Sequence, residues 1–150
     1  MLPKFSGDGV VAADGLFLYS DLHQFPRSPV FVTFKKGRIV KIDGDDRLLV
    51  SRLVNWLDGI KGDTGRLGPV HFNLGINPRA RLNEHPEFEK LRGTITMGIG
   101  DSSLLTRMWA GEGIEPVISD VHWDFVVMRP TIALDGKMIC KNGVMPEFKG

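Results

Sequence analysis

The sequence predicts an α+β fold: a mixed, mostly antiparallel sheet with one or two packed helices and several hairpins. Three observations point there. Glycine is frequent, at 18 of 150 residues, and many of these glycines sit in turn-like dipeptides between short apolar runs. The run from Val117 to Met128 alternates in the manner of a half-buried strand. One stretch alone carries clear helical spacing.

The elements follow in chain order. Gly15 to Leu22 reads as a strand, and Val30 to Ile42 reads as a hairpin turning at Lys35-Lys36-Gly37. Asp45 or Asp46 then caps a helix running to about Gly59. Its apolar residues Leu49, Leu53, Trp56, Leu57 and Ile60 recur at three- and four-residue spacing, so one face packs on a core. Pro69 to Ile76 reads as a buried strand that Asn77-Pro78 ends, because proline cannot donate to a ladder and restricts its predecessor. Glu84 to Leu91 reads as a short helix. Thr94 to Ile99 is a strand entering the Gly100-Asp101-Ser102-Ser103 loop. Thr131 to Val144 reads as a final hairpin with Asp135-Gly136 as its turn, and Asn142-Gly143 marks a second turn.

A chain of 150 residues suits one domain. A domain of that size buries roughly 70% of the surface its unfolded chain exposes. The net charge is +1 and the basic residues are scattered, which speaks against a nucleic-acid partner. No apolar run approaches the roughly 20 residues of a membrane helix, and the first residues lack the apolar stretch of a signal peptide. The single cysteine, Cys140, fits a reducing compartment, so the expected location is the cytoplasm.

His122-Trp123-Asp124 is the central chemical observation. In a strand, side chains at i and i+2 share a face. The imidazole and the carboxylate would project together and could occupy two positions on a divalent metal, with Trp123 on the other side. Two histidines and one carboxylate make the facial triad of non-haem Fe(II) enzymes. The same spacing also fits a half-buried histidine hydrogen-bonded to its neighbouring aspartate. No histidine follows residue 124, so any further histidine ligand lies upstream. His71 is the best placed, a polar ring in the apolar strand Val70 to Gly75, where it needs a partner. That partner is either a metal or a backbone carbonyl. His85 lies in a polar stretch and His23 in a loop. Asp101, Ser102 and Ser103 end a strand that should run near the site. They either hydrogen-bond a ligand or orient a metal ligand, or they form an Asx turn that closes the chain.

Three stretches carry a family resemblance: Phe72 to Pro78, Gly93 to Ser102, and His122 to Phe125 with the trailing Thr131 to Gly136. Their order and spacing resemble the C-terminal metal-binding domain of the aminopeptidase T superfamily, which includes 2,5-dihydroxypyridine 5,6-dioxygenases. Gly7-Asp8-Gly9-Val10 resembles the start of the same domain, so the likeness covers nearly the whole chain. The resemblance implies two alternatives. The peptidase branch holds two metals, of which His122 and Asp124 match directly and Asp8 conservatively, with Asp8 as the candidate base and zinc or cobalt as the metal. The dioxygenase branch holds one Fe(II) with two histidines and one aspartate, a set that His71, His122 and Asp124 complete. The resemblance favours the second, with a small-molecule substrate. Asp8, and Asp101 and Ser102 from their place at the strand end, are the candidate catalytic residues. A non-catalytic metal-binding domain is the third possibility. Family members carry a preceding N-terminal domain, so the expectation is a lone metal domain, a fragment, or a partner chain supplying the rest. At least a homodimer is expected.

Overall fold

The structure is a computed structural model describing residues 7–20, 22–81, 90–109 and 115–146. The named strands are β1 (Gly9–Ala13), β2 (Phe17–Tyr19), β3 (Leu22–Gln24), β4 (Val30–Lys35), β5 (Arg38–Gly44), β6 (His71–Leu74), β7 (Ile95–Gly100), β8 (His122–Val127), β9 (Ile132–Leu134) and β10 (Lys137–Cys140). Two helices, α1 (Arg47–Asp58) and α2 (Ser103–Trp109), and a 3-10 segment at Lys61–Arg66 accompany them. The strands form a three-stranded sheet ordered β1-β4-β5, a five-stranded sheet ordered β3-β2-β8-β7-β6, and the β9-β10 ribbon. Every pairing of named strands is antiparallel. The predicted α+β class holds.

The tight turns stand where Lys-Gly and Asp-Gly predicted them. Lys36 and Gly37 both have positive φ, at 51° and 68°, as do Asp135 and Gly136 at 49° and 79°. Two consecutive positive φ angles are what a two-residue hairpin of right-twisted strands requires.

The core lies between the two larger sheets. Val30, Val32 and Phe34 from β4 and Ile39 and Ile42 from β5 meet Phe17, Tyr19, Met97, Ile99, Trp123 and Phe125 from the five-stranded sheet. Helix α1 adds Leu49, Leu53 and Leu57, all fully buried and spaced four residues apart. Each such leucine contributes about 2 kcal/mol by leaving water. Trp123 is tied further: its indole N–H donates to the Gly65 carbonyl at 2.8 Å, and Trp56 meets it edge to face at 6.3 Å.

Asp46 caps α1. Its Oδ1 accepts the Leu49 N–H at 3.2 Å and its Oδ2 accepts the Arg27 N–H at 2.9 Å.

The structure departs from the sequence-based expectation in several elements. The strand expected over residues 15–22 is two strands, β2 and β3, separated by a turn in which Ser20 has φ 52°. The strand expected from Val117 begins at His122, because the preceding segment bonds instead to the Asp101-Ser102 loop. Helix α2 and the 3-10 segment occupy stretches where the sequence predicts no element; neither is long enough for a periodic apolar face to show. Residues 9–13 form β1 on the three-stranded sheet. The expected helix Glu84 to Leu91 falls largely outside the described residues, as does His85. Among the described residues, no helix is long and apolar enough to cross a membrane.

The Asp46→Ala variant is expected to lose about 1 kcal/mol, which lowers the melting temperature by roughly 3 °C in a domain of this size. The Arg27 N–H and, against the opposing effect of burial, the Leu49 N–H hold the Asp46 carboxyl below the usual carboxylate range. A depressed carboxyl stabilises the fold above its unfolded value and stops doing so as pH falls through its folded value. Thermal melts of wild type and variant should therefore differ near neutral pH and converge in acid.

Candidate metal centre

Antiparallel pairing places directly opposed residues on one face of a sheet. In the five-stranded sheet His71 opposes Gly98, Gly98 opposes Asp124, Asp124 opposes Leu18, and Leu18 opposes His23. These residues form one row across all five strands. His122 opposes Gly100 in the next row on the same face. Trp123 and Phe125 alternate to the opposite face, into the core.

Three donor atoms converge there. His71 Nε2 and His122 Nε2 are 3.2 Å apart. Asp124 Oδ1 is 3.2 Å from the first and 3.5 Å from the second. The two imidazole rings stack nearly parallel, 5.2 Å between centroids and 11° between planes. Among the described residues these three form the one His/Cys/Asp/Glu group with ligand atoms within 4.8 Å of one another. The side chains of His71, His122 and Asp124 are 18%, 34% and 15% exposed, so the cluster opens to one side of the sheet.

The chemistry of this donor set fits a cation. His122 Nδ1 donates to the Asp101 backbone carbonyl at 2.5 Å. A carbonyl only accepts, so in the neutral ring Nε2 carries its lone pair toward the cluster. Asp124 Oδ1 is buried and accepts no well-directed hydrogen bond, and His71 Nδ1 is buried without a partner. Converging acceptors with an orphaned carboxylate oxygen are costly unless a proton or a metal ion lies between them. Donors about 2.1 Å from one ion lie roughly 3.0 Å apart at right angles and roughly 3.4 Å apart at the tetrahedral angle. The observed edges are of that size. Without an ion, a proton does part of this work. Hydrogen bonding to Asp124 raises His122 above the ordinary histidine value, against burial, which lowers it. Burial pushes Asp124 up, but His122 and His71 outweigh it and hold the carboxyl below the usual range.

The other sequence-predicted residues lie around or away from this cluster. Asp8 is on the edge of the three-stranded sheet, its Oδ1 accepting the Lys36 N–H at 2.5 Å beside the β4-β5 turn. The Asp101 carboxylate is turned into its own loop, accepting from Ser103 N–H at 2.9 Å, Ser103 Oγ at 3.0 Å and Ser119 N–H at 3.1 Å. Burial opposes its charge, yet those donors hold it below the usual range. Ser102 Oγ accepts the Val117 N–H at 2.9 Å. Asp101 thus reaches the cluster through its main-chain carbonyl, so the expected orienting of a ligand falls to the backbone and not to the carboxylate. The one signal for it was the Asp-Ser-Ser turn at a strand end, since 21 residues separate Asp101 from His122. Ser119, which ties the segment before β8 to this loop and to Thr64, left no signal at all. His23, expected in a loop, lies in β3.

No protein-family model matches the sequence, and no curated protein matches it. Among solved structures, the chain is similar to 2,5-dihydroxypyridine dioxygenase from Pseudomonas putida KT2440, with a TM-score of 0.69 and 17% sequence identity. The likeness covers 98% of this chain and 42% of that one, so this chain spans less than half the length of its neighbour. At that identity the likeness shows a shared fold, and it narrows the expected kinship with the aminopeptidase T superfamily to the fold of one dioxygenase.

In the metal-free protein, an NMR titration should place the His122 ring above the ordinary histidine value, and Asp124→Asn should bring it down. A raised histidine stabilises the fold below its unfolded value, about 6.5, and that contribution is lost as pH rises through the folded value. Metal needs the neutral ring, so metal affinity should fall as pH drops through the same folded value. A His122 that titrates at or below the ordinary value would contradict this electrostatic account.

Proposed function

We propose that this is a metal-dependent, dioxygenase-like enzyme domain of the cytoplasm, holding one Fe(II) through His71, His122 and Asp124. Its proposed substrate class is the hydroxylated N-heteroaromatic or phenolic diol, and its proposed reaction is oxidative ring cleavage. The observation that carries this reading is the convergence of two imidazole nitrogens and one carboxylate oxygen within 3.5 Å on an accessible face. The fold shared with a dioxygenase supports it. Bound to such a set, Fe(II) supplies open coordination positions for oxygen and for a chelating substrate.

The chain's own residues have definable tasks in this reading. Asp124 brings the one negative charge, so a divalent ion leaves the centre with net charge +1, suited to an anionic diol. The Asp101 carbonyl fixes the His122 tautomer and ring plane. Leu18, beside Asp124 in the row, offers an apolar surface for an aromatic ring. Zinc or cobalt are the alternative occupants, since imidazole suits several ions. A two-metal hydrolase needs carboxylates bridging ions roughly 3.5–4 Å apart. Asp124 is the one carboxylate of the cluster, and Asp8 is engaged at Lys36 on the other sheet. The exposed side of the centre is where a second subunit of a homo-oligomer, or a further domain, would close the substrate pocket.

Protein purified anaerobically and loaded with Fe(II) should retain about one equivalent of iron, as a single three-ligand centre requires. It should consume oxygen with dihydroxypyridines, and His71→Ala and His122→Ala should lose both properties. Two equivalents of zinc or cobalt with peptide hydrolysis, or an iron-loaded protein inert to oxygen with every diol tried, would contradict the proposal.

A further inference from the structure

We infer that Gly98 is the positioning residue of this centre: the absence of a side chain there is what lets His71 reach across β7 to Asp124 and His122. Neighbouring strands are about 4.8 Å apart, so residues in one row on β6 and β8 start about 9.6 Å apart. The His71 ring must cross the intervening strand to bring Nε2 within 3.2 Å of Asp124 Oδ1. The residue it crosses is Gly98, its direct partner in the β6-β7 register and the direct partner of Asp124 in the β7-β8 register.

A β-carbon at position 98 would fall on that ring. Its three nearest heavy atoms would be His71 Nε2, Cδ2 and Cε1, the last at 2.7 Å and the other two closer still. All three belong to one side chain, and none to the backbone. Gly98 also lacks the positive φ that explains Gly100, at 88°, two residues on. The strand conformation itself would accept alanine. Glycine inside a strand weakens it through entropy and lost packing, and it marks a site where something approaches the backbone closely. Here that something is the His71 imidazole. Because a histidine ring can swing away on its χ angles, Gly98→Ala should spare the fold and displace the ligand. The consequence for metal rests on the proposed reading of the triad, whereas the steric coupling between Gly98 and His71 does not.

Two measurements on the full chain test this. In the first, Co²⁺ binding is followed by its visible absorption in wild type, His122→Ala, His71→Ala, Gly98→Ala and the Gly98→Ala/His71→Ala double variant. Gly98→Ala should weaken Co²⁺ by at least about 100-fold, the upper range for losing the support of a ligand, with an altered spectrum. The double variant should bind no worse than His71→Ala. In the second, metal-free melting temperatures form a double-mutant cycle. Gly98→Ala should lower the melting temperature by roughly 3 °C or more when His71 is present. With His71→Ala it should be neutral or stabilising, as a strain-free replacement of glycine is. Co²⁺ binding by Gly98→Ala within about twofold of wild type, or a melting penalty unchanged by His71→Ala, would overturn the inference. If wild type binds no Co²⁺ that His122→Ala abolishes, the metal reading falls, and the melting cycle still decides the steric coupling.

Discussion

The candidate centre depends on the register of β7 between β6 and β8. Side chains along a strand alternate faces, so a slip of one residue would exchange core and surface for the whole strand. The core forbids that slip. Met97 and Ile99 of β7 and Trp123 and Phe125 of β8 are buried against Phe17, α1 and the three-stranded sheet. Burial of such side chains is worth about 1.5–3 kcal/mol each, and a slip would forfeit it for all four at once. The apolar packing on one face therefore aims His122 and Asp124 outward on the other. His71 joins them through the ladder that pairs β6 to β7.

Within that frame the electrostatics are unbalanced in one direction. Two acceptors, His122 Nε2 and Asp124 Oδ1, face the His71 ring, whose tautomer no hydrogen bond at Nδ1 fixes. The loop after β7 contributes to this imbalance: by accepting the His122 Nδ1 hydrogen at the Asp101 carbonyl it turns the other nitrogen's lone pair inward. The same loop is stiffened by its own carboxylate, held at Ser103 and Ser119, and by Ser102, held at Val117. Backbone order at the end of β7 is thereby passed to the orientation of one ring. A proton shared with Asp124, or a divalent cation held by the three side chains, would relieve that imbalance.

Much of this was legible in the sequence where the signal is local. Lys36-Gly37 and Asp135-Gly136 announce hairpins because two adjacent residues must take positive φ. Asp46 announces α1 because a carboxylate before an apolar periodicity satisfies the helix's first amide groups. His122 and Asp124 share a face by strand alternation alone, and His71 stood out as a polar ring in an apolar run. What the sequence concealed is non-local. Helix α2 has seven residues, too few for an apolar period to emerge. Ser20 breaks an apparently continuous strand with no glycine or proline to mark the turn. The opposition of His71, Gly98 and Asp124 exists only once three strands are paired. A glycine within an otherwise apolar strand was the one available hint, and its meaning depends on which ring lies above it.

The most direct test of the central claim is anomalous diffraction at the iron edge from crystals loaded with Fe(II) without oxygen. The account predicts one strong peak lying about 2.1 Å from each of His71 Nε2, His122 Nε2 and Asp124 Oδ1, and absent in the His122→Ala protein. A peak elsewhere, a pair of peaks sharing Asp124, or none at all in well-diffracting crystals would contradict it.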